Sequence, residues 1–300
     1  MMSAGAAEVL TKETSLGRRG LRNSLEILGI TLLAALFLKF FVVEAYRIPT
    51  GSMENTLMAG DFVLVNKFIY GAQSPRYIPF TSIRLPSFQL PAISSPRRGD
   101  VAVFEFPPSR WDEAPHEVIN YVKRCAALPG DTLAIVNRVV FVNGRAVPMP
   151  SAARSDRPLL YPRGLRDRRI FPRGTEFNED NFGPLVIPKS RSEIELTLNN
   201  ISEYWDLIQH EGHTIATTPS EVLIDGKPAR TYRVQKNYYF MLGDNRDNSL
   251  DSRFWGFVSA DLIIGKAFMV YWSWNESQGP SGFLNHLLSV RWSRIGTIVK

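Results

Sequence analysis

The pattern of apolar and polar positions divides the chain into three unlike parts. Ile27 to Val43 reads ILGITLLAALFLKFFVV, seventeen residues with Lys39 the only charge. With flanks from Leu25 to Tyr46, such a run predicts a helix long enough to cross about 30 Å of hydrocarbon. Beyond it the pattern shortens to runs rich in β-branched and aromatic residues: Asp61–Ile69, Arg98–Phe106, Tyr121–Ala126, Asn237–Leu242 and Leu262–Trp272. These predict strands. Asn143-Gly144 and Asp225-Gly226 each stand between extended runs and predict tight hairpins. Residues 75–96 carry five prolines and predict an irregular connection. Residues 148–220 turn polar, with a single helical stretch near Ile194 to Gln209.

The expected fold is therefore mostly β. A single N-terminal transmembrane helix precedes a curled or barrel-like antiparallel β domain that carries an inserted, smaller subdomain. The expected divisions are a tail at 1–24, an anchor at 25–45, the first part of the β core at 46–147, the insert at 148–230 and the second part at 231–300. Lys12, Arg18, Arg19 and Arg22 precede the anchor, which predicts a cytoplasmic N-terminus and an external remainder. A cleavable leader ending near Val43-Glu-Ala45 is the rival reading; Lys39, Phe40 and Phe41, lying before that site, oppose it.

Composition narrows the chemistry. Of 300 residues 44% are apolar and 21% charged, as in a globular chain. The net charge is +6, and seven arginines between Arg154 and Arg173 read as a solvated loop, with lipid headgroups as an alternative. No nucleic-acid motif accompanies them, so no nucleic-acid partner is expected. Cys125 is the only cysteine, which excludes an intrachain disulfide. The four histidines show no HExxH spacing and there is no CxxC, so neither a metal nor another cofactor is expected.

Two residues then draw notice. Ser52 follows Thr50-Gly51, nine residues past the apolar run. Glycine there permits a sharp bend, which could aim the Ser52 N–H and the Thr50 hydroxyl at one developing oxyanion. Lys123 shares a strand face with Tyr121 and Cys125, opposite Val122 and Arg124, and a lysine desolvated there would suit a general base. An ordinary turn serine and a lysine reaching to water are the bland alternatives; Cys125 is a rival nucleophile. Gly243-Asp-Asn-Arg-Asp-Asn-Ser-Leu-Asp-Ser-Arg253 suggests a calcium loop but fails the test, with Ser249 and Trp255 where glycine and glutamate are needed. A polar turn fits better, with Ser249 bonding and orienting the lysine and Asp251 and Arg253 bracing the turn.

Ile48-Pro-Thr-Gly-Ser-Met53 with Thr56-Leu57, Tyr121-Val-Lys-Arg124 with Leu128-Pro-Gly-Asp131, and Gly243 to Arg253 together resemble the bacterial type I signal peptidases, or leader peptidases. The resemblance implies a Ser–Lys dyad endopeptidase of the bacterial inner membrane, its catalytic domain extracytoplasmic. Such an enzyme removes signal peptides from translocated preproteins after small residues, in the Ala-X-Ala manner, and is expected to be a monomer on the lipid bilayer. Ser52 matches the nucleophile, Lys123 the base, Thr50 the side-chain oxyanion position, Ser249 the serine that bonds the lysine, and Asp251 and Arg253 its supports. Ile48, Met53, Leu57, Tyr121 and Val122 fall where pockets for the small substrate residues are lined. Asn55 stands where proline is common, which would loosen that turn. Trp272, Trp274, Phe283, Leu287, Leu288 and Trp292 form a candidate membrane-facing group, with core packing as the alternative. Two other functions compete: a catalytically silent anchored β-domain that binds export or envelope proteins, and a self-cleaving repressor-type protease. The anchor opposes the second.

Overall fold

An apolar helix, α1 (Asn23–Val42), leads directly into the first strand. The structure is a computed structural model and describes residues 23–74, 88–107, 119–275 and 289–300. Leu25, Ile27, Leu28, Ile30, Leu32 and Leu33 on α1 are all exposed, so among the described residues nothing covers that stretch of the helix. It is long and apolar enough to cross a membrane. The basic residues expected ahead of the anchor lie outside the described residues, as do Phe283, Leu287 and Leu288.

β1 (Val43–Arg47) and β2 (Asp61–Asn66) flank the Ser52 turn, followed by β3 (Val101–Glu105) and β4 (Asn120–Ala127). Next come β5 (Thr132–Val136), β6 (Val139–Val142), β7 (Arg145–Ala146) and β8 (Phe182–Val186), a four-stranded sheet. Smaller pairings use β9 (Glu193–Glu195), β10 (Ile215–Thr217), β11 (Val222–Ile224), β12 (Lys227–Pro228) and β13 (Thr231–Arg233), with helix α2 (Ile201–His210) among them. The chain returns through β14 (Tyr238–Leu242), the short helix α3 (Ser252–Trp255), β15 (Val258–Ser259) and β16 (Ile263–Ser273).

Seven strands form the principal sheet, in the order β1-β2-β16-β3-β4-β14-β15, with every pairing antiparallel. It curls into a half-barrel. β16 slips register twice against β2 and once against β3, and such bulges increase local twist. Gly265 sits at one slip, where a Cβ would meet the Asn66 carbonyl oxygen at 2.5 Å, so only glycine admits β2 this closely. Along β3, Val101 and Val103 join the cluster of Ile48, Met53, Leu57 and Val63, while Ala102 and Phe104 join that of Cys125, Met241 and Trp255. Both faces of the sheet are thus covered, which is why β3 reads as an unbroken apolar run.

Both predicted hairpins form. Asn143 and Gly144, at φ 51° and 75°, and Asp225 and Gly226, at φ 52° and 75°, take the left-handed pair that a type I′ turn requires. Other expectations change. β2 stops at Asn66, whose Oδ1 accepts from the Ile69 N–H at 3.1 Å and folds Phe68–Tyr70 into a 3-10 turn. The helix expected from Ile194 starts at Ile201, because Glu193–Glu195 pairs with β13 and a reciprocal Thr197–Asn200 turn precedes the helix. The four-stranded sheet joins β5, β6 and β7 to β8. Within the arginine-rich stretch, Arg157 pairs with Glu179 and Asp180, Arg169 with Asp167, and Arg154 with Glu54, so part of that stretch is a brace instead of a solvated loop.

Candidate active site

The Ser52 turn begins where β1 ends. Thr50 is extended, Gly51–Met53 makes a 3-10 turn, and the Leu57 N–H closes on the Met53 carbonyl at 2.7 Å. Asn55 sits at φ 76°, in the left-handed region, and its Nδ2 donates to the Ala152 carbonyl at 3.1 Å. The turn is therefore not loosened by the loss of proline; it is built in a conformation closed to proline, whose ring holds φ near −65°. Asn55→Pro is expected to lower stability by more than about 1 kcal/mol, read as a fall in Tm.

Lys123 lies on β4 opposite Ala102 of β3, with Cys125 opposite Met241 of β14. Neighbours on both sides bury it to 4% exposure. Its Nζ is 2.7 Å from Ser52 Oγ and donates to the Val122 carbonyl at 3.1 Å. The Tyr121 ring lies 5.3 Å from the same nitrogen, centroid to atom. Burial drives the lysine from its ordinary 10.5 down to about 8, with Asp251 and Asp244 opposing the shift. The Thr50 hydroxyl lies 3.5 Å from Ser52 Oγ. The serine, lysine and threonine singled out from sequence are thus brought together from segments 71 residues apart.

Ser249 differs from expectation. Its Oγ is buried without a hydrogen-bond partner, so it does not bond the lysine in this arrangement. It packs instead against Gly243, where a Cβ would meet Ser249 Oγ at 2.0 Å and the Ser52 carbonyl oxygen at 2.7 Å. Asp251 and Arg253 do brace the turn. Asp251 caps α3, accepts from the Gly243 N–H at 3.0 Å, and takes two guanidinium contacts from Arg253 at 2.9 Å. Burial would raise the Asp251 carboxyl, but the Arg253 charge and these hydrogen bonds hold it below its usual range. Arg253 also donates to the Arg246 carbonyl at 2.7 Å, closing the loop on itself.

Sequence reasoning overlooked three anchors. Asp244, fully buried, forms a two-pronged pair with Arg124 at 2.8 and 2.6 Å and accepts from the Thr56 hydroxyl at 2.5 Å. Asn245 donates its backbone N–H to the Ser52 carbonyl at 3.1 Å and its side-chain amide to the Gly51 carbonyl at 3.1 Å. Through these bonds β4, the Ser52 turn and the 243–253 loop hold one geometry. The signal was present as a polar block dense in Asp and Asn, but its partners lie 120 or more residues away.

A groove of about 380 Å³ opens at Ser52 and Lys123. Ile48, Met53, Tyr121 and Val122 line it. Leu57 does not; it is fully buried behind the turn, packed with Ile48 and Met53. Cys125 is also fully buried, and burial raises its thiol well above the ordinary range, which removes it as a rival nucleophile. Among the described residues no cluster of His, Cys, Asp and Glu could hold a metal.

Known proteins are similar to this chain in sequence. The family described as signal peptidase, peptidase S26, matches residues 21–272. The chain belongs to the signal peptidase family, peptidase S26. A signal peptidase I of Pseudomonas aeruginosa is 33% identical over 279 residues, covering 89% of this chain and 75% of that protein. The signal peptidase I of Aquifex aeolicus is 30% identical over 286 residues, 90% of this chain and 92% of the relative. That of Buchnera aphidicola from Acyrthosiphon pisum is 32% identical over 282 residues, 89% and 78%. The family match on this chain thus runs from its apolar helix into β16.

Proposed function

We propose that this chain is a membrane-bound serine endopeptidase that removes N-terminal signal peptides from exported preproteins. Cleavage follows small residues in the Ala-X-Ala manner, with Ser52 as nucleophile and Lys123 as general base. The observation that carries the reading is the 2.7 Å contact between Ser52 Oγ and a buried lysine amine whose pKa is lowered to about 8. A serine hydroxyl needs a base to take its proton, and an amine poised near neutrality supplies one without histidine. In the neutral amine one N–H serves the Val122 carbonyl, leaving the lone pair for the Ser52 proton.

Ser52 Oγ then attacks the scissile carbonyl, and the oxyanion is received by the Ser52 N–H and the Thr50 hydroxyl. Lys123 returns the proton to the leaving amine as the acyl-enzyme forms, and later activates water to release the signal peptide. Asp251 and Arg253 act through position, by holding the 243–253 loop. Ile48, Met53, Tyr121 and Val122 give the groove close walls, which reject large side chains by overlap. The exposed apolar α1 supports anchorage in a bilayer. The bacterial inner membrane, with the N-terminus cytoplasmic and the site outside, suits preproteins that reach the enzyme after translocation.

The testing experiment is cleavage of a preprotein by the full chain, with product termini read by mass spectrometry. One cut after Ala-X-Ala is expected, lost when alanine at the −1 or −3 position becomes leucine. Cleavage at unrelated sites, or none, overturns the reading in favour of a silent binding domain. The pH profile is a second check. Only the neutral lysine acts as base, so kcat/KM is expected to rise with pH to a plateau above about 8. The same residue affects stability. The unfolded chain keeps this proton to about 10.5, so stability gained from Lys123 is absent below about pH 8 and rises between 8 and 10.5.

A further inference from the structure

A second cavity, of about 860 Å³, lies against the part of β4 beyond Lys123, where Arg124, Cys125 and Ala126 form one wall. Across from them stand β6, β7 and the chain running on to Ser155. Its size suits an organic ligand and far exceeds an inorganic ion. Much of the wall is apolar, from Val139, Val140, Val147, Pro148 and Met149. Val139 and Met149 stay 45% and 43% exposed, so this apolar surface has no cover among the described residues.

Five arginines also line the cavity, and four are neutralised. Arg98 pairs with Asp131, Arg124 with Asp244, Arg138 with Asp180 and Arg154 with Glu54, all at 3.0 Å or less. Arg246 is the exception. It is 8% exposed, its buried Nε has no partner, and its guanidinium makes no hydrogen bond or ion pair with any described residue. The nearby carboxylates of Asp244 and Asp251 are already committed to Arg124 and Arg253. Burial and the neighbouring Arg253 charge push Arg246 down to about 10, with Asp251 and Asp244 opposing the shift without touching the guanidinium. An unpaired buried charge is costly and is rarely kept without a counter-charge.

We propose that this cavity binds an amphiphilic organic acid, one carboxylate on an apolar body. The carboxylate sits on the Arg246 guanidinium and the body runs along Val139, Val140, Val147 and Met149. A single uncompensated arginine calls for a single negative charge, and its planar fork matches a carboxylate with two parallel hydrogen bonds. The site stands apart from the groove at Ser52, since Arg246 and the 139–149 wall take no part there. It is therefore independent of the peptidase reading.

The test is calorimetric titration of the full chain, held in nanodiscs of neutral lipid, with octanoate, octanol and acetate, using empty discs as reference. Octanoate is expected to bind saturably, one per chain. Octanol and acetate should each bind about tenfold or more weakly, on the scale of a hydrogen bond to a charged group. Arg246→Gln should weaken octanoate by a similar factor. Ala146→Trp, which fills cavity space from another lining residue and leaves the Arg246 side chain in place, should do the same and keeps the test valid if Arg246→Gln does not fold. Equal binding of octanol removes the role of Arg246, and equal binding of acetate removes the apolar body. No saturable binding of octanoate, or full affinity in a folded variant, overturns the proposal.

Discussion

Lys123→Met in the full chain is expected to lower the rate of preprotein cleavage by about a thousandfold, within the range that general base catalysis contributes. Methionine keeps much of the lysine's length and the packing against Tyr121, but supplies no lone pair of comparable basicity. Ser52→Ala should remove cleavage to background, because the rival thiol is out of reach: Cys125 is fully buried, with its thiol held protonated. The pair acts as one unit, so the double variant should lose no more than Ser52→Ala alone. Additive losses would mean that the two residues act in separate steps. Stability separates catalysis from folding. The fold already disfavours the charged amine, by the burial that lowers its pKa, so Lys123→Met should not lower Tm. Activity within tenfold of wild type would remove Lys123 as the base.

The second large effect is expected at Gly243. No positive φ demands glycine there; the demand is for space. An added methyl would lie 2.5 Å from Ser249 Cβ and 2.7 Å from the Ser52 carbonyl oxygen. The serine hydroxyl of Ser249 can rotate away, but backbone cannot, so either the Ser52 turn or the 243–253 loop must shift. That shift also strains the Asn245 bonds that pin Gly51 and Ser52. Gly243→Ala should therefore cost about 1–3 kcal/mol of stability, as overpacking does. It should also cost about a hundredfold in kcat, the order expected for displacing a reacting atom by roughly 1 Å. Adding Ser249→Gly removes the contact with Ser249 and leaves that with Ser52. Only partial rescue is expected; full rescue would show that the Ser52 contact is unimportant.

Legibility from sequence varied with the range of the interaction concerned. The apolar helix, the strand runs and both hairpins depend on composition and on neighbours within a few residues, and they form, with β2 ending early at Asn66. The half-barrel follows from the same alternation plus Gly265, where one small residue admits a neighbouring strand. Errors came where a distant partner prevailed. Glu193–Glu195 became a strand because β13 pairs with it, and Arg154 and Arg157 became braces because Glu54, Glu179 and Asp180 lie across from them.

The candidate site divides in the same way. Ser52, Lys123 and Thr50 could be named from local settings and from resemblance, since glycine beside serine and an aromatic beside lysine are short-range facts. Tertiary structure alone decided that Lys123 is buried and meets Ser52, that Leu57 lies behind the groove, and that Ser249 faces Gly243 instead of the amine. It also decided that Asp244, Asn245 and Arg124 tie the parts together. The physical reason is desolvation. A residue's identity is written in the chain, but the water it loses and the charge it meets depend on segments 71 to 194 residues away.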